Sequence, residues 1–284
     1  MKIPKYWAKS ATVARGPDGL PYRLACWQWS DVSLAEAQQK ASAQALALAQ
    51  KVQAGQMLSR YGYDQRPLRE EIMQGISAGS GHEVGVVTRN RYGARVLNAT
   101  NAMFIDIDLP DDGGSSSLSG QVNRLLGARP TDPAAPYLAR VSAWAAQHPD
   151  LGLRVYRTFG GLRCLITNQV FDPSRVDSLQ ILQALGSDPL YVRLCQAQEC
   201  FRARLTPKPW RVGQRLPPSG FPWQNQSAEA RYREWVQRYE QGSAAYAVCQ
   251  FVSQFGPAET HPDIQPVLTM HDEMTRAGEK RPLA

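Results

Sequence analysis

The sequence predicts an α+β fold: a mainly antiparallel sheet covered by helices, with a helical C-terminal extension. Three observations carry this reading. Runs of β-branched and aromatic residues are joined by turn chemistry at Gly16-Pro17-Asp18-Gly19, Asn90-Arg91-Tyr92-Gly93 and Gly160-Gly161. An alanine-rich run after Ser33 has the caps and composition of a helix, and the chain from Ser227 onward keeps helical spacing. The expected organisation is an N-terminal hairpin with helices over residues 1–78, a core over 79–218 and the extension over 219–284.

The elements follow in order. Residues 6–30 read as two strands around the Gly-Pro-Asp-Gly turn. The next segment is a helix capped by Ser33, with Glu36 three residues on and Gly55 as its stop. Residues 61–76 are expected as a loop and a short helix opened by Pro67. In that helix Arg66 and Arg69 would pair locally with Glu70 and Glu71, although Arg66, just before a proline, could also point at a ligand.

Residues 83–110 give β-branched strands separated by the turn-like Asn90-Arg91-Tyr92-Gly93. The small, polar run 111–120 is expected as a mobile surface loop, followed by a helix around 136–149. Residues 151–171 are two strands joined at the glycine pair, which tolerates positive φ. A helical stretch spans Ser174 to Gln196, residues 200–213 form one more strand ending in prolines, and helices occupy 228–242 and 262–277.

Composition narrows the function. With 43% hydrophobic residues, the chain can bury a core, and it lacks a leader-like start and any apolar run of membrane-spanning length. Five scattered cysteines fit reduced thiols in the cytoplasm better than a disulfide framework. Cys195 and Cys200 lack the second pair or histidine that a zinc set needs. The net charge of +7 points to an anionic partner. Residues 151–216 hold ten basic against four acidic residues, which is nearly all of that excess.

Asp106 and Asp108 stand two apart in the strand Phe-Ile-Asp-Ile-Asp, so their side chains leave on one face. Two carboxylates in one small volume repel unless a cation neutralises them, and such oxygen-rich sites suit Mg²⁺ or Mn²⁺ beside substrate phosphates. The same pair also suits a strand end entering a turn, where aspartate is favoured by local hydrogen bonds.

Arg154, Arg157 and Arg163 on the hairpin, with Arg202, Arg204, Lys208 and Arg211 on the later strand and its loop, offer forks for phosphate oxygens. Tyr156, Phe201 and Trp210 interleave aromatic surfaces on which bases can stack. The competing reading is a solvated face of local ion pairs, with Lys208 between two prolines projecting into water. The Gly-Ser-Gly stretch before His82 lacks the lysine of a phosphate loop and reads as a flexible turn, with His82 exposed or a candidate base.

A strand bearing Phe-Ile-Asp-Ile-Asp, the hairpin Tyr-Arg-Thr-Phe-Gly-Gly-Leu-Arg, and the later Phe-Arg-Ala-Arg-Leu together resemble the successive motifs of the archaeo-eukaryotic primase and primase-polymerase superfamily, over roughly residues 80–215. The resemblance implies an RRM-like palm with Asp106 and Asp108 as catalytic metal ligands for Mg²⁺ or Mn²⁺. It also implies a nucleoside triphosphate and single-stranded nucleic acid as partners, and Arg163, Arg202 and Arg204 on triphosphate or template. Arg163 stands where that family has a histidine, and Glu199 or Asp172 is the nearest match to its third carboxylate. The expected function is therefore a metal-dependent nucleotidyltransferase, with two alternatives: a non-catalytic single-strand binder on a degenerate palm, or a glycosyltransferase using the two aspartates to hold a nucleotide sugar.

Overall fold

The computed structural model describes residues 1–56, 67–110 and 132–284. The chain is α+β, as expected, with every strand pairing inside its sheets antiparallel. The expected surface loop at 111–120 and Arg66 lie outside the described residues.

The chain opens with β1 (Tyr6–Arg15) and β2 (Pro21–Ser30), a two-stranded ribbon closed by the predicted turn, where Gly19 takes φ 75° and Asp18 accepts from Leu20 N and Tyr22 Oη. Helix α1 (Leu34–Gln53) packs on one face of this ribbon, capped by the Ser33 side chain on Glu36 N.

Residues 71–76, expected as part of a helix, lie instead in strand β3 (Glu71–Ser77). The two glutamates make no local helix pairs. Glu70 binds Arg202, Glu71 binds Arg233, and both ties are long-range contacts that hold the segment extended. Strands β4 (Glu83–Arg89) and β5 (Arg95–Ala99) follow, joined at Gly93 with φ 86°. Next come β6 (Phe104–Asp108), α2 (Ala135–Gln147), β7 (Leu153–Thr158) and β8 (Gly161–Ile166).

The single helical stretch expected after Ser174 is two helices, α3 (Val176–Ala184) and α4 (Pro189–Gln198). Gly186 in the left-handed region and Asp188 capping α4 separate them. Strand β9 (Phe201–Arg204) leads into a short 3-10 turn at Pro209–Val212. The C-terminal part holds α5 (Gln226–Ser243), β10 (Cys249–Phe255) and α6 (Gln265–Thr275). The extension is thus not purely helical: β10 completes the sheet that carries the two aspartates.

That sheet has the order β10-β7-β8-β6, and a second four-stranded sheet has the order β3-β4-β5-β9. One continuous core joins them, with Val84, Leu97, Phe104, Ile105, Leu153 and Phe201 all fully buried. At about 25 cal/mol per Å² of apolar surface, this shared core is the main force holding the sheets together. The edge of β6 is covered, because Tyr191 Oη donates to the Phe104 carbonyl while Ser187 Oγ and Asp188 N donate to that of Asp106. No helix among the described residues is long and apolar enough to cross a membrane.

Candidate functional site

Asp106 lies directly opposite Arg163 in the β6–β8 register, with Tyr156 and then Phe251 continuing the row across the sheet. The Arg163 guanidinium is 2% exposed and grips Asp106 in a fork, Nε to Oδ1 at 2.8 Å and Nη2 to Oδ2 at 3.3 Å. Its remaining nitrogen, Nη1, donates to the Arg204 carbonyl on the other sheet at 3.0 Å. Burial opposes the charge of Arg163, but Asp106, together with Cys249 and Tyr191, outweighs it and holds the guanidinium protonated above its ordinary range.

Asp108 leaves the same strand face two residues on, at an exposed position. Partial burial and the neighbouring charges of Asp106 and Asp188 push its carboxyl up, against the pull of Lys208 and Arg204. The backbone here is tight: Gly161 is paired with Asp108, and a Cβ on it would sit 2.0 Å from the Ile107 carbonyl oxygen. Close approach, not positive φ, is what requires glycine at position 161.

Lys208 and Arg204 lie in the field of Asp108, and Arg211 lies in turn near those two cations. Arg204 is largely buried, and its Nε has no hydrogen-bond partner among the described residues. Lys208 lies between Pro207 and Pro209, where burial and the charges of Arg204 and Arg211 depress its ammonium. Beyond these cations runs an exposed aromatic strip. Trp210, 53% exposed, meets Tyr92 edge-on at 5.7 Å, Lys208 Nζ lies 5.6 Å from the Trp210 ring, and Arg211 stacks over the exposed Phe159 at 4.0 Å.

Other predicted residues are placed elsewhere. Arg202 gives its guanidinium to both Glu70 oxygens at 2.8 Å, in a buried network with Thr88 and Asn98. Arg157 donates to the Gly161 carbonyl and faces Asp132 at 3.6 Å, and Arg154 binds Asp272. Tyr156 and Phe201, expected as stacking surfaces, are fully buried. His82 binds Ser80 and Asp263, Glu199 binds Lys2, and Asp172 caps Ser174, so neither candidate third carboxylate joins the aspartates. Burial raises the Cys195 thiol to about 12 and that of Cys200 to about 11, as inert core thiols.

Sequence reasoning missed Asp188, Tyr92 and Phe159. The last two stand at hairpin tips, where an aromatic side chain has no core to fill, and that was the available signal.

The donor set does not fit a pair of divalent ions. Both oxygens of Asp106 accept from Arg163, those of Asp188 accept from Leu190 N and Tyr191 N, and no group of three or more His, Cys, Asp or Glu among the described residues is placed to hold a metal. No protein-family model, curated protein or solved structure matches this chain.

Proposed function

We propose that this chain binds single-stranded nucleic acid on the strip formed by Tyr92, Trp210, Lys208, Arg211 and Phe159, on a palm-like, RRM-related scaffold in the cytoplasm. The observation that carries the reading is the exposed Trp210–Tyr92 pair beside Lys208, with the Phe159–Arg211 stack next to it. Bases stack on such aromatic faces whatever their sequence, and the cations take the phosphates. Five free cysteines, four of them buried, fit a reducing compartment.

The test is a titration of the full chain with a labelled single strand, read by fluorescence anisotropy over a series of salt concentrations. Trp210→Ala should weaken binding by about 1–3 kcal/mol, the range for one base stack. Lys208→Ala should flatten the slope of log K against log salt by about 0.7, one phosphate contact on a single strand. Wild-type affinity and slope in both variants would exclude the strip as the binding surface.

A second reading, the nucleotidyltransferase, is favoured by one observation. Asp108 stands in the field of Asp106 and Asp188, a repulsion that Mg²⁺ or Mn²⁺ beside a nucleoside triphosphate would relieve. The cation would have to displace Arg163 from Asp106. Nucleotide incorporation on single-stranded templates, lost in Asp108→Asn, would establish this activity. Its absence, with strand binding intact, leaves the binding protein. Thermal stabilisation by nucleotide sugars with Mn²⁺, and none by single strands, would instead indicate a glycosyltransferase.

A further inference from the structure

The β1–β2 ribbon has two unlike faces. On the inner face Ala8 packs against Ala37 and Ala41 of α1, Ala14 and Leu24 pack against Val52, and Cys26 Sγ donates to the Ala41 carbonyl. The outer face is set by the register, which pairs Trp7 with Trp29, Lys9 with Trp27, Ala11 with Ala25, Val13 with Arg23 and Arg15 with Pro21. It carries three cations, three tryptophans and no Asp or Glu. Lys9, Arg15 and Arg23 are exposed, as are Ala11, Val13 and Ala25 between them. At the base of the ribbon Trp27 is half-buried, with Arg69 stacked on its ring at 4.7 Å and Lys9 Nζ 5.9 Å from it.

Among the described residues no other strand hydrogen-bonds to this ribbon, and α1 is the element that covers it extensively. Beyond the cation–ring contacts at Trp27 and the hydrogen bond from Arg15 Nη1 to the Gly19 carbonyl, this face holds like charges that repel one another and apolar residues that stay wet. A polyanion resolves both costs. The ribbon's ten-residue strands extend about 33 Å, enough to follow several successive phosphates. The flat, open surface between the cations admits extended chain.

We propose that the outer face of the β1–β2 ribbon is a second contact surface for single-stranded nucleic acid, with Lys9, Arg15 and Arg23 on phosphates and the tryptophan base as the apolar end of the track. It shares the ligand class of the function proposed above but rests on other residues, so a strand long enough to reach both surfaces distinguishes them.

The experiment compares three full-length proteins: wild type, Lys9→Glu/Arg23→Glu on the ribbon, and Lys208→Ala/Trp210→Ala on the strip. Each is titrated with a short single strand of about six nucleotides, a long one of about thirty, a duplex, and polyglutamate as a competing polyanion. The ribbon variant should bind the short strand as wild type does, which also verifies its fold. It should bind the long strand at least tenfold more weakly, with a salt slope reduced by about 1.4, two single-strand phosphate contacts. Unchanged long-strand affinity and slope would overturn the proposal. So would a loss confined to the duplex, or polyglutamate displacing the long strand from wild type as effectively as unlabelled strand does. If the strip variant alone binds normally, the strip reading fails and the ribbon stands; if the ribbon variant alone does, the reverse holds.

Discussion

Arg163 and Asp106 face each other across β8 and β6, and the guanidinium holds both carboxylate oxygens while its third nitrogen reaches the Arg204 carbonyl of the neighbouring sheet. The carboxylate that a metal-dependent palm would keep open is here one half of a largely buried ion pair, and the other half stitches two sheets together. A buried pair of this kind contributes little over an apolar replacement, yet breaking it is costly because one charge is stranded.

The two halves should therefore respond unequally. Asp106→Ala strands a guanidinium that is 2% exposed and should cost about 3–5 kcal/mol in urea denaturation. Arg163→Met leaves Asp106, whose side chain is 34% exposed and can be hydrated, and should cost less. The double variant should recover much of the Asp106→Ala loss. Additive costs in the double variant would show that the pair is not coupled.

Gly161 offers a sharper steric case. Its ideal Cβ position lies 2.0 Å from the Ile107 carbonyl oxygen and 3.2 Å from the Asp108 Cα, both backbone atoms that cannot swing aside. Gly161→Ala should force β8 away from β6 and destabilise the chain by more than the typical 1 kcal/mol of a point substitution, while Gly160→Ala, whose Cβ would meet only the Arg211 guanidinium at an ordinary 3.8 Å, should be near neutral. Equal melting temperatures for the two variants would remove the close-approach argument.

Local signals were legible and long-range ones were not. The Gly-Pro-Asp-Gly and Asn-Arg-Tyr-Gly turns, the Ser33 cap and the strand that sets both aspartates on one face depend on neighbours in sequence, and all form as read. The pairing of Asp106 with Arg163 spans 57 residues and depends on register between β6 and β8, which composition does not specify. Strand β10 escaped notice because Gln250, Ser253 and Gln254 break its apolar alternation, and a bulge at Phe251/Ser253 shifts its period. Residues 67–77 carry helix-forming glutamates, and the tertiary ties of Glu70 and Glu71 override that preference.

His271 gives the chain a pH dependence away from the site. It is fully buried against Phe104 and Tyr156, with Nδ1 on Asp272 and Nε2 3.9 Å from Cys249 Sγ. Burial depresses its pKa from 6.5, Asp272 opposes that shift, and the Arg163 charge adds to it. The unfolded chain thus takes up the proton first as pH falls. Stability from neutral His271 is complete above about pH 6.5 and declines below it, until the folded-state pKa is passed. His271→Gln should start less stable at pH 7 and lose less between pH 6.5 and 5 than wild type, measured by urea midpoints. A steeper loss in the variant would contradict the neutral, buried imidazole.

Asp108 has the opposite sign and bears on function. Partial burial, then Asp106 and Asp188, raise its folded-state pKa above the ordinary 3.8, so the folded chain binds this proton more tightly than the unfolded one. Its contribution to stability therefore falls as pH rises from 3.8 through the folded-state value, and ionised Asp108 opposes folding at neutral pH. Asp108→Asn should be more stable than wild type at pH 7, and that advantage should vanish as pH drops below 3.8. The same substitution removes a negative charge near Lys208, a cation expected to meet phosphate, so single-strand affinity should rise by a few-fold and fall back at high salt as screening grows. A variant that is less stable at pH 7 would contradict the charge cost placed on Asp108, whereas one that binds strands more weakly would mean that the Asp108 carboxylate serves the ligand directly and would move the balance from passive binding to chemistry at β6.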